Sequence, residues 1–327
     1  MTSPATAPTR PVTNAEREVF RTDGVVKLES IHPPDRVEQL RQAMDEVFSR
    51  TDAEADATWT GESRTGDRSD MAALMSQRRA EQGAAIDIEG DPVSPIRGRA
   101  IVETDAASWH VGLRRHHVES GLAQTIAELT GTHQVTLYSD QLFSKEPGSL
   151  SRTPWHQDAP YFLVGSGTVA VCWITVDPVR RDNGAMGYVP GSHLWGTMFK
   201  PSDFVTREGT FTEVGDIDHS SLAEMPPRAE IEEAAVYIEA DPGDVIVHHW
   251  CTVHGSSGNT TENRSRRAAS IRFACDGATF LRKPSSPEPF RNTVELADGD
   301  PLELDPRFPV VWPRQLGSGP ADVSSEG

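Results

Sequence analysis

The spacing of apolar residues changes character about 130 residues into the chain. Before that point it is helical. Asn14 can cap a short helix through Phe20, Asp23-Gly24 turns into a strand-like Val25–Leu28, and Pro33-Pro34-Asp35 opens an amphipathic helix. In that helix Val37, Leu40, Met44, Val47 and Phe48 share one face. A second helix is expected from Val118 to Leu129, closed by Gly131. From there the period falls to two, with short strands at 135–138, 141–145, 155–158, 169–176, 186–189, 236–240, 245–248, 252–254 and 268–273. Pro147-Gly148, Asn183-Gly184, Pro190-Gly191 and Pro242-Gly243 punctuate them as turns. Helices early and many short strands late predict a mainly β protein, a double-sheet jelly roll buttressed by N-terminal helices.

The same pattern divides the chain. Residues 1–13 read as a disordered leader and 14–283 as one catalytic domain, with helical support over 14–134 and the jelly-roll core over 135–283. Residues 51–99 are rich in Ala, Arg, Asp, Glu, Gly and Ser and cannot build a core of their own; they form either a lid over the site or a loose surface insertion. Residues 284–327 are a Pro-rich C-terminal extension with a disordered end.

Charge narrows the partners. With 49 acidic against 31 basic residues the formal charge is −18, which repels nucleic acid and anionic membrane surfaces and leaves a small molecule as the expected ligand. Cys172, Cys251 and Cys275 form no CxxC and read as buried free thiols of a reducing compartment. No stretch has the length of a membrane span, and the N-terminus has no signal-like apolar segment, so a cytoplasmic location is expected.

The candidate chemistry centres on Pro154-Trp155-His156-Gln157-Asp158. On a strand, His156 and Asp158 at i and i+2 point to one face. One HxD among 11 histidines and 49 acidic residues is unremarkable alone. Its setting is not, since rigid apolar residues flank it and His254 stands far downstream in Val253-His254-Gly255-Ser256. Two histidines and a carboxylate are the facial ligand set that leaves three positions open on non-haem iron(II). An arginine just beyond His254 would complete a site for iron and a dicarboxylate, because its planar fork donates two parallel hydrogen bonds to a carboxylate. Strand alternation puts Arg266, Ala268, Ser270 and Arg272 on one face, and Arg267, Ala269, Ile271 and Phe273 on the packing face. The clamp is sought in the Arg266-Arg267 pair, where the resemblance described below favours Arg266, and Arg272, on the same face as Arg266, is a weaker rival. His248, His249 and His193 read as structural, and His110, His116 and His117 carry no spacing argument. GxSxG, HExxH and P-loop motifs are absent, which removes the usual hydrolases.

These pieces resemble one family. Lys145-Glu146-Pro147-Gly148, the HxD segment, Val171-Cys172-Trp173, Asp182-Asn183-Gly184, Val189-Pro190-Gly191-Ser192-His193, His254-Gly255-Ser256 with Asn259, and Arg266-Arg267-Ala268 follow the order of the iron(II)/2-oxoglutarate dioxygenases of the phytanoyl-CoA dioxygenase type. The resemblance covers roughly residues 135–274. It implies a double-stranded β-helix (cupin-like), iron(II) held by His156, Asp158 and His254, and 2-oxoglutarate and O2 as co-substrates in a pocket of Arg266, Lys145, Gln157, Trp173 and Ser256. It also implies oxidation, by default hydroxylation, of a small metabolite. The carboxylate at Asp158 occupies the place where related halogenases have a small residue, which argues against halogenation. One extra residue between Asn259 and the basic pair departs from the family pattern and keeps Arg267 open as the clamp. The rival reading is a non-catalytic jelly-roll protein that binds a metal or small molecule.

Overall fold

The computed structural model describes residues 7–54, 100–149, 151–200, 221–283 and 294–313. Helix α1 spans Asn14–Asp23, strand β1 Val25–Leu28 and helix α2 Pro34–Glu54. Strand β2 is Ala100–Thr104, and two helices follow, α3 Val111–Glu119 and α4 Leu122–Thr130. The remaining strands are β3 Val135–Lys145, β4 Thr153–His156, β5 Val164–Ser166, β6 Val169–Thr175, β7 Met186–Tyr188, β8 Val236–Ile238, β9 Val245–His249, β10 His254–Ser256, β11 Arg266–Ala274, β12 Thr279–Phe280 and β13 Val310–Trp312.

The large sheet runs β1-β9-β6-β11-β3-β13, with β2 also paired to β3, and the small one runs β4-β10-β7-β8. All pairings between named strands are antiparallel, and the architecture is the expected jelly roll. Alternation along the large sheet decides what each face does. Ala170, Cys172, Ile174, Val245, Val247, Ala269, Ile271 and Phe273 pack against Leu40, Met44 and Val47 of α2 and Ile126 of α4. Trp173, Ile246 and Ala268 point the other way, toward Met186 and Tyr188 of the small sheet. The helices therefore cover one face and leave the other for the site.

Several local expectations change. Thr13, not Asn14, caps α1: its hydroxyl accepts from Glu16 N–H while the Glu16 carboxylate accepts from Thr13 N–H, a reciprocal pair that Asn14 is one residue too late to form. The single helix expected at 118–129 is two, because Gly121 takes a left-handed conformation (φ 81°) between α3 and α4. The two strands expected at 135–138 and 141–145 are one, since the polar Ser139 and Asp140 between them are buried and satisfied. Residues 51–54 continue α2, and the rest of the anticipated lid, 55–99, lies outside the described residues. Within the C-terminal extension, Val294, Leu302 and Phe308 are buried and β13 pairs with β3, so this stretch builds the fold. At the other end, Val12 of the leader is buried too.

Asp140 anchors a buried chain of imidazoles. Its Oδ1 accepts from Ala107 N–H (3.1 Å) and its Oδ2 from His117 Nε2 (3.2 Å). With that proton on Nε2, His117 Nδ1 accepts from His116 Nδ1 (3.1 Å), and His116 Nε2 accepts from His32 Nε2 (3.0 Å). One carboxylate thus fixes the tautomers of three rings. Burial holds the His32 pKa down at about 3, and burial together with the neighbouring His32 pushes His116 well below 6.5.

Because His32 and His116 stay neutral when folded but take up protons when unfolded below pH 6.5, the unfolded state binds more protons there and stability is lost as pH falls. For His32 alone the loss between about pH 7.5 and about pH 5.5 is about 1.4 kcal/mol. Urea denaturation at the two pH values should show His32→Gln losing less stability than wild type by that amount. Equal losses would mean His32 is not held neutral by the fold.

Candidate metal centre and co-substrate cavity

The candidate metal ligands are brought together by the pairing of two short strands. His156 ends β4 and His254 begins β10, and the two are register partners across that antiparallel pair, with ring centroids 4.2 Å apart. Asp158 is not on the strand: β4 stops at His156, and Asp158 and Ala159 N–H both donate to the Trp250 carbonyl (2.9 and 3.0 Å). The carboxylate therefore reaches its histidines from a bend tied to a neighbouring loop, and strand alternation from His156 is not what brings it there. Asp158 Oδ1 is 3.7 Å from His156 Nε2, and Oδ2 is 3.9 Å from His254 Nε2. All three residues are buried, with ligand atoms within 4.8 Å of one another, the one such group among the described residues.

The backbone sets the tautomers. His156 Nδ1 donates to the Pro154 carbonyl (2.8 Å) and His254 Nδ1 to the Thr252 carbonyl (2.9 Å), so both rings turn the Nε2 lone pair toward Asp158. Burial and each ring's histidine neighbour depress the pKa of His156 to about 3 and of His254 to about 4. Burial works against the Asp158 charge, but the facing His254 and the hydrogen bond from His248 outweigh it and hold the carboxyl below its usual range. Two neutral imidazoles and a carboxylate are the donor set a divalent cation needs. His248 Nε2 sits 3.1 Å from Asp158 Oδ2 and its Nδ1 is buried without a hydrogen-bond partner, so Nε2 is the donor. It belongs to the site as an orienter of Asp158. The sequence had suggested a structural residue; the signal that would have placed His248 here is its position two residues after Ile246, on the inward face of β9. The buried Tyr188 hydroxyl, on a ring stacked over His254, also has no hydrogen-bond partner.

A cavity of about 100 Å³ opens between this cluster and the inner face of the large sheet. At one end Arg266 and Lys145, register partners on β11 and β3, are both buried. Arg266 donates from Nε and Nη2 to the Gly184 carbonyl (3.2 and 2.9 Å), and its Cζ lies 5.1 Å from the Trp173 ring centroid. No carboxylate among the described residues pairs with it, and burial lowers its pKa to about 10. Lys145 donates to Ser256 Oγ and the Ser257 carbonyl (both 2.8 Å), and burial followed by the charge of Arg266 pushes its pKa well down. Ser256 in turn donates to Thr153 Oγ1 (2.9 Å), so it braces Lys145 and stands behind the cavity wall that Trp173 helps form.

Gln157 does not join them. Alternation turns it away from His156, and its amide donates to the carbonyls of Thr197 (3.1 Å) and Cys251 (2.9 Å) while accepting from Phe199 N–H (3.1 Å). It pins the loop behind the metal ligands. Arg267 points out of the site: it forms a two-toothed pair with Asp177 (2.9 and 2.7 Å) and also pairs with Asp45 of α2. Arg272 shares the cavity face with Arg266 at the opposite end, where Nη1 donates to Ser139 Oγ (3.0 Å) and Nη2 to Gln141 Oε1. His193 and His249 lie outside the cavity, and His110 caps α3. The three cysteines are free thiols, Cys172 and Cys275 buried and Cys251 half-buried.

Comparison with known proteins identifies the family and the fold. The family model described as Phytanoyl-CoA dioxygenase (PhyH) matches residues 20–268, well over half of the chain. A probable phytanoyl-CoA dioxygenase of Caenorhabditis elegans is 31% identical over 166 residues, covering 48% of each chain. The peroxisomal human phytanoyl-CoA dioxygenase is 31% identical over 158 residues, 46% of this chain and 43% of its own. The chain thus spans about half the length of the curated relatives it matches. Among solved structures, the non-haem alpha-ketoglutarate-dependent carbocyclase SnoK from nogalamycin biosynthesis superposes with a TM-score of 0.63 at 20% identity, covering 94% of this chain and 99% of its own. With the matched region spanning both the triad and Arg266, the chain belongs to the phytanoyl-CoA dioxygenase family.

Proposed function

We propose that the protein is an iron(II)- and 2-oxoglutarate-dependent dioxygenase acting on a small-molecule metabolite, with hydroxylation as its outcome. The observation that carries this reading is the buried Arg266 guanidinium, without a carboxylate partner among the described residues, facing the same cavity as a neutral-histidine and carboxylate triad. A desolvated cation in that position is costly until an anion joins it. Membership of a dioxygenase family and the fold shared with SnoK point the same way.

Bound at His156, Asp158 and His254, iron(II) would supply the redox chemistry that couples oxidative decarboxylation of 2-oxoglutarate, giving succinate and CO2, to oxidation of the substrate by O2. The chain's own residues prepare the place. The Pro154 and Thr252 carbonyls hold the imidazoles in their ligating tautomer, and His248 keeps Asp158 ionised and aimed. Arg266 offers its fork to the distal carboxylate, Lys145 adds a second donor, Ser256 holds Lys145 and Trp173 walls off water. Arg267 already satisfies Asp177 and serves the scaffold.

Anaerobic addition of iron(II) and 2-oxoglutarate should produce the weak visible charge-transfer band of a chelated 2-oxo acid, absent in His156→Ala and Asp158→Ala. Retention of the band with wild-type iron affinity in both variants would refute the ligand assignment. Arg266→Ala should weaken 2-oxoglutarate by roughly 30- to 1000-fold, the equivalent of about 2–4 kcal/mol for a charge-assisted pair. Arg267→Ala should shift that constant no more than a few-fold while lowering the melting temperature. The reverse pattern, measured by succinate formation against 2-oxoglutarate concentration, would transfer the clamp to Arg267. His248→Ala should reduce metal affinity by about 10- to 100-fold, read by titration with the metal-free melting temperature as control.

A further inference from the structure

The chain has four lysines, and three of them are ordinary. Lys27 pairs with Glu29 (2.8 Å), Lys200 pairs with Glu224, and Lys283 donates to the Ala159 carbonyl beside the Trp250 ring; all three are partly exposed. Lys145 differs. It ends β3 only 5% exposed, and its register partner on β11 is a second buried cation, Arg266. Among the described residues no carboxylate pairs with either of them.

The hydrogen bonds at Lys145 suit an amine. An ammonium has three N–H groups to place and a neutral amine two. Nζ has two acceptors, Ser256 Oγ and the Ser257 carbonyl, each at 2.8 Å, so the amine is satisfied and its lone pair is left over. Two buried like charges side by side oppose each other, and the guanidinium is the harder of the two to deprotonate. Burial and the Arg266 charge accordingly push the Lys145 pKa well down, which makes Nζ a nucleophile. Arg266 complements it. Nε and Nη2 are engaged with the Gly184 carbonyl, and Nη2 also with Met186 Sδ (3.8 Å), which leaves Nη1 without a hydrogen-bond partner among the described residues. Both residues line the cavity, whose volume of about 100 Å³ has room for the three atoms of CO2.

We propose that Lys145 is a carbamylation site: its Nζ takes up CO2, and Arg266 holds the carbamate so formed. The Nζ lone pair forms a bond to the CO2 carbon, one carbon–oxygen π pair moves onto oxygen, and a proton leaves Nζ for solvent; nothing is oxidised or reduced. The carbamate is a planar anion of carboxylate shape, which the free Nη1 hydrogens of Arg266 can meet. It lies where the distal carboxylate of 2-oxoglutarate would otherwise meet the guanidinium. The two anions therefore compete, and CO2 released by turnover restrains the enzyme that makes it. That consequence rests on the reading of the site as a 2-oxoglutarate centre, whereas the carbamate itself requires only CO2 and the pair of buried cations.

The test uses the full chain with nitrogen-15 in its lysine side chains, equilibrated with carbon-13 bicarbonate at mildly alkaline pH before any 2-oxoglutarate is added. Wild type should show one carbamate carbon resonance split by a lysine nitrogen. Lys145→Gln, with folding checked by thermal melt, should lack it. Arg266→Gln removes the counter-charge and should need about ten- to a hundredfold more CO2 for the same occupancy. Saturating 2-oxoglutarate should abolish the signal, and added CO2 should weaken 2-oxoglutarate binding in equilibrium dialysis. No coupled resonance in wild type, or one that persists in Lys145→Gln, would overturn the assignment. Should Lys145→Gln fail to fold, alkylation of the wild-type carbamate and peptide mass spectrometry decide instead: the added group on a lysine other than Lys145 overturns it, and on Lys145 supports it. A Lys145 carbamate that 2-oxoglutarate does not displace would overturn the competition. Failure of carbamate-free wild type to bind 2-oxoglutarate would strike the underlying reading, and the order of additions separates the two.

Discussion

The pairing of β4 with β10 is the constraint from which the site follows. Each is a short strand, yet their antiparallel register places His156 opposite His254. Everything else closes around that coincidence. The Trp250 carbonyl captures the backbone of Asp158 and Ala159, His248 reaches the carboxylate from β9, and the backbone carbonyls of Pro154 and Thr252 choose the tautomers. A slip of one residue would turn one imidazole to the opposite face of the small sheet, because side chains alternate with a period of two.

Electrostatics then distinguishes positions that look alike in sequence. Arg266 and Arg267 are adjacent, but one is buried with a carbonyl and an aromatic ring for company, and the other bridges α2 to the sheet through Asp45 and Asp177. The first is kept short of counter-charge and the second is saturated with it. Lys145 and Arg266, both buried at one end of the cavity, oppose each other's charge, so burying the pair without a counter-charge is costly.

How much of this was legible in the sequence depended on the length scale of the signal. The helices and most strands follow local periodicity and were visible. The triad was visible because ligand residue types are few and their frame of prolines and aromatics is rigid. The face of Arg266 followed from simple alternation, which β11 obeys through Arg272. Gln157 was expected in the pocket beside its neighbours in the motif, but it alternates outward to three backbone groups of distant loops. Asp158 does lie beside the two histidines, but not by strand alternation, since the bend that aims it depends on a partner 92 residues away in Trp250. Strands β2, β5, β12 and β13 are brief and gain their structure from long-range partners that composition cannot display. The interrupted strand at Ser139-Asp140 misled for the opposite reason: polarity suggested a break, where a buried histidine chain satisfies it.

Strand β3 carries Lys145 and Phe143, and one of its two sides faces β11. Its other side would be an eleven-residue row of open backbone groups, the kind of edge along which sheets recruit foreign strands. Two segments from distant parts of the chain share the work of covering it: β2 along residues 141–145 and β13 along 135–136, with Pro309 O taking the Leu137 amide and Asp105 N–H reaching the Asp140 carbonyl. Strand β13 thus closes part of the edge of the sheet that carries Lys145 and Arg266. Truncation ahead of Val310 would leave the triad's ligands intact in sequence yet convert their scaffold into a template for self-association.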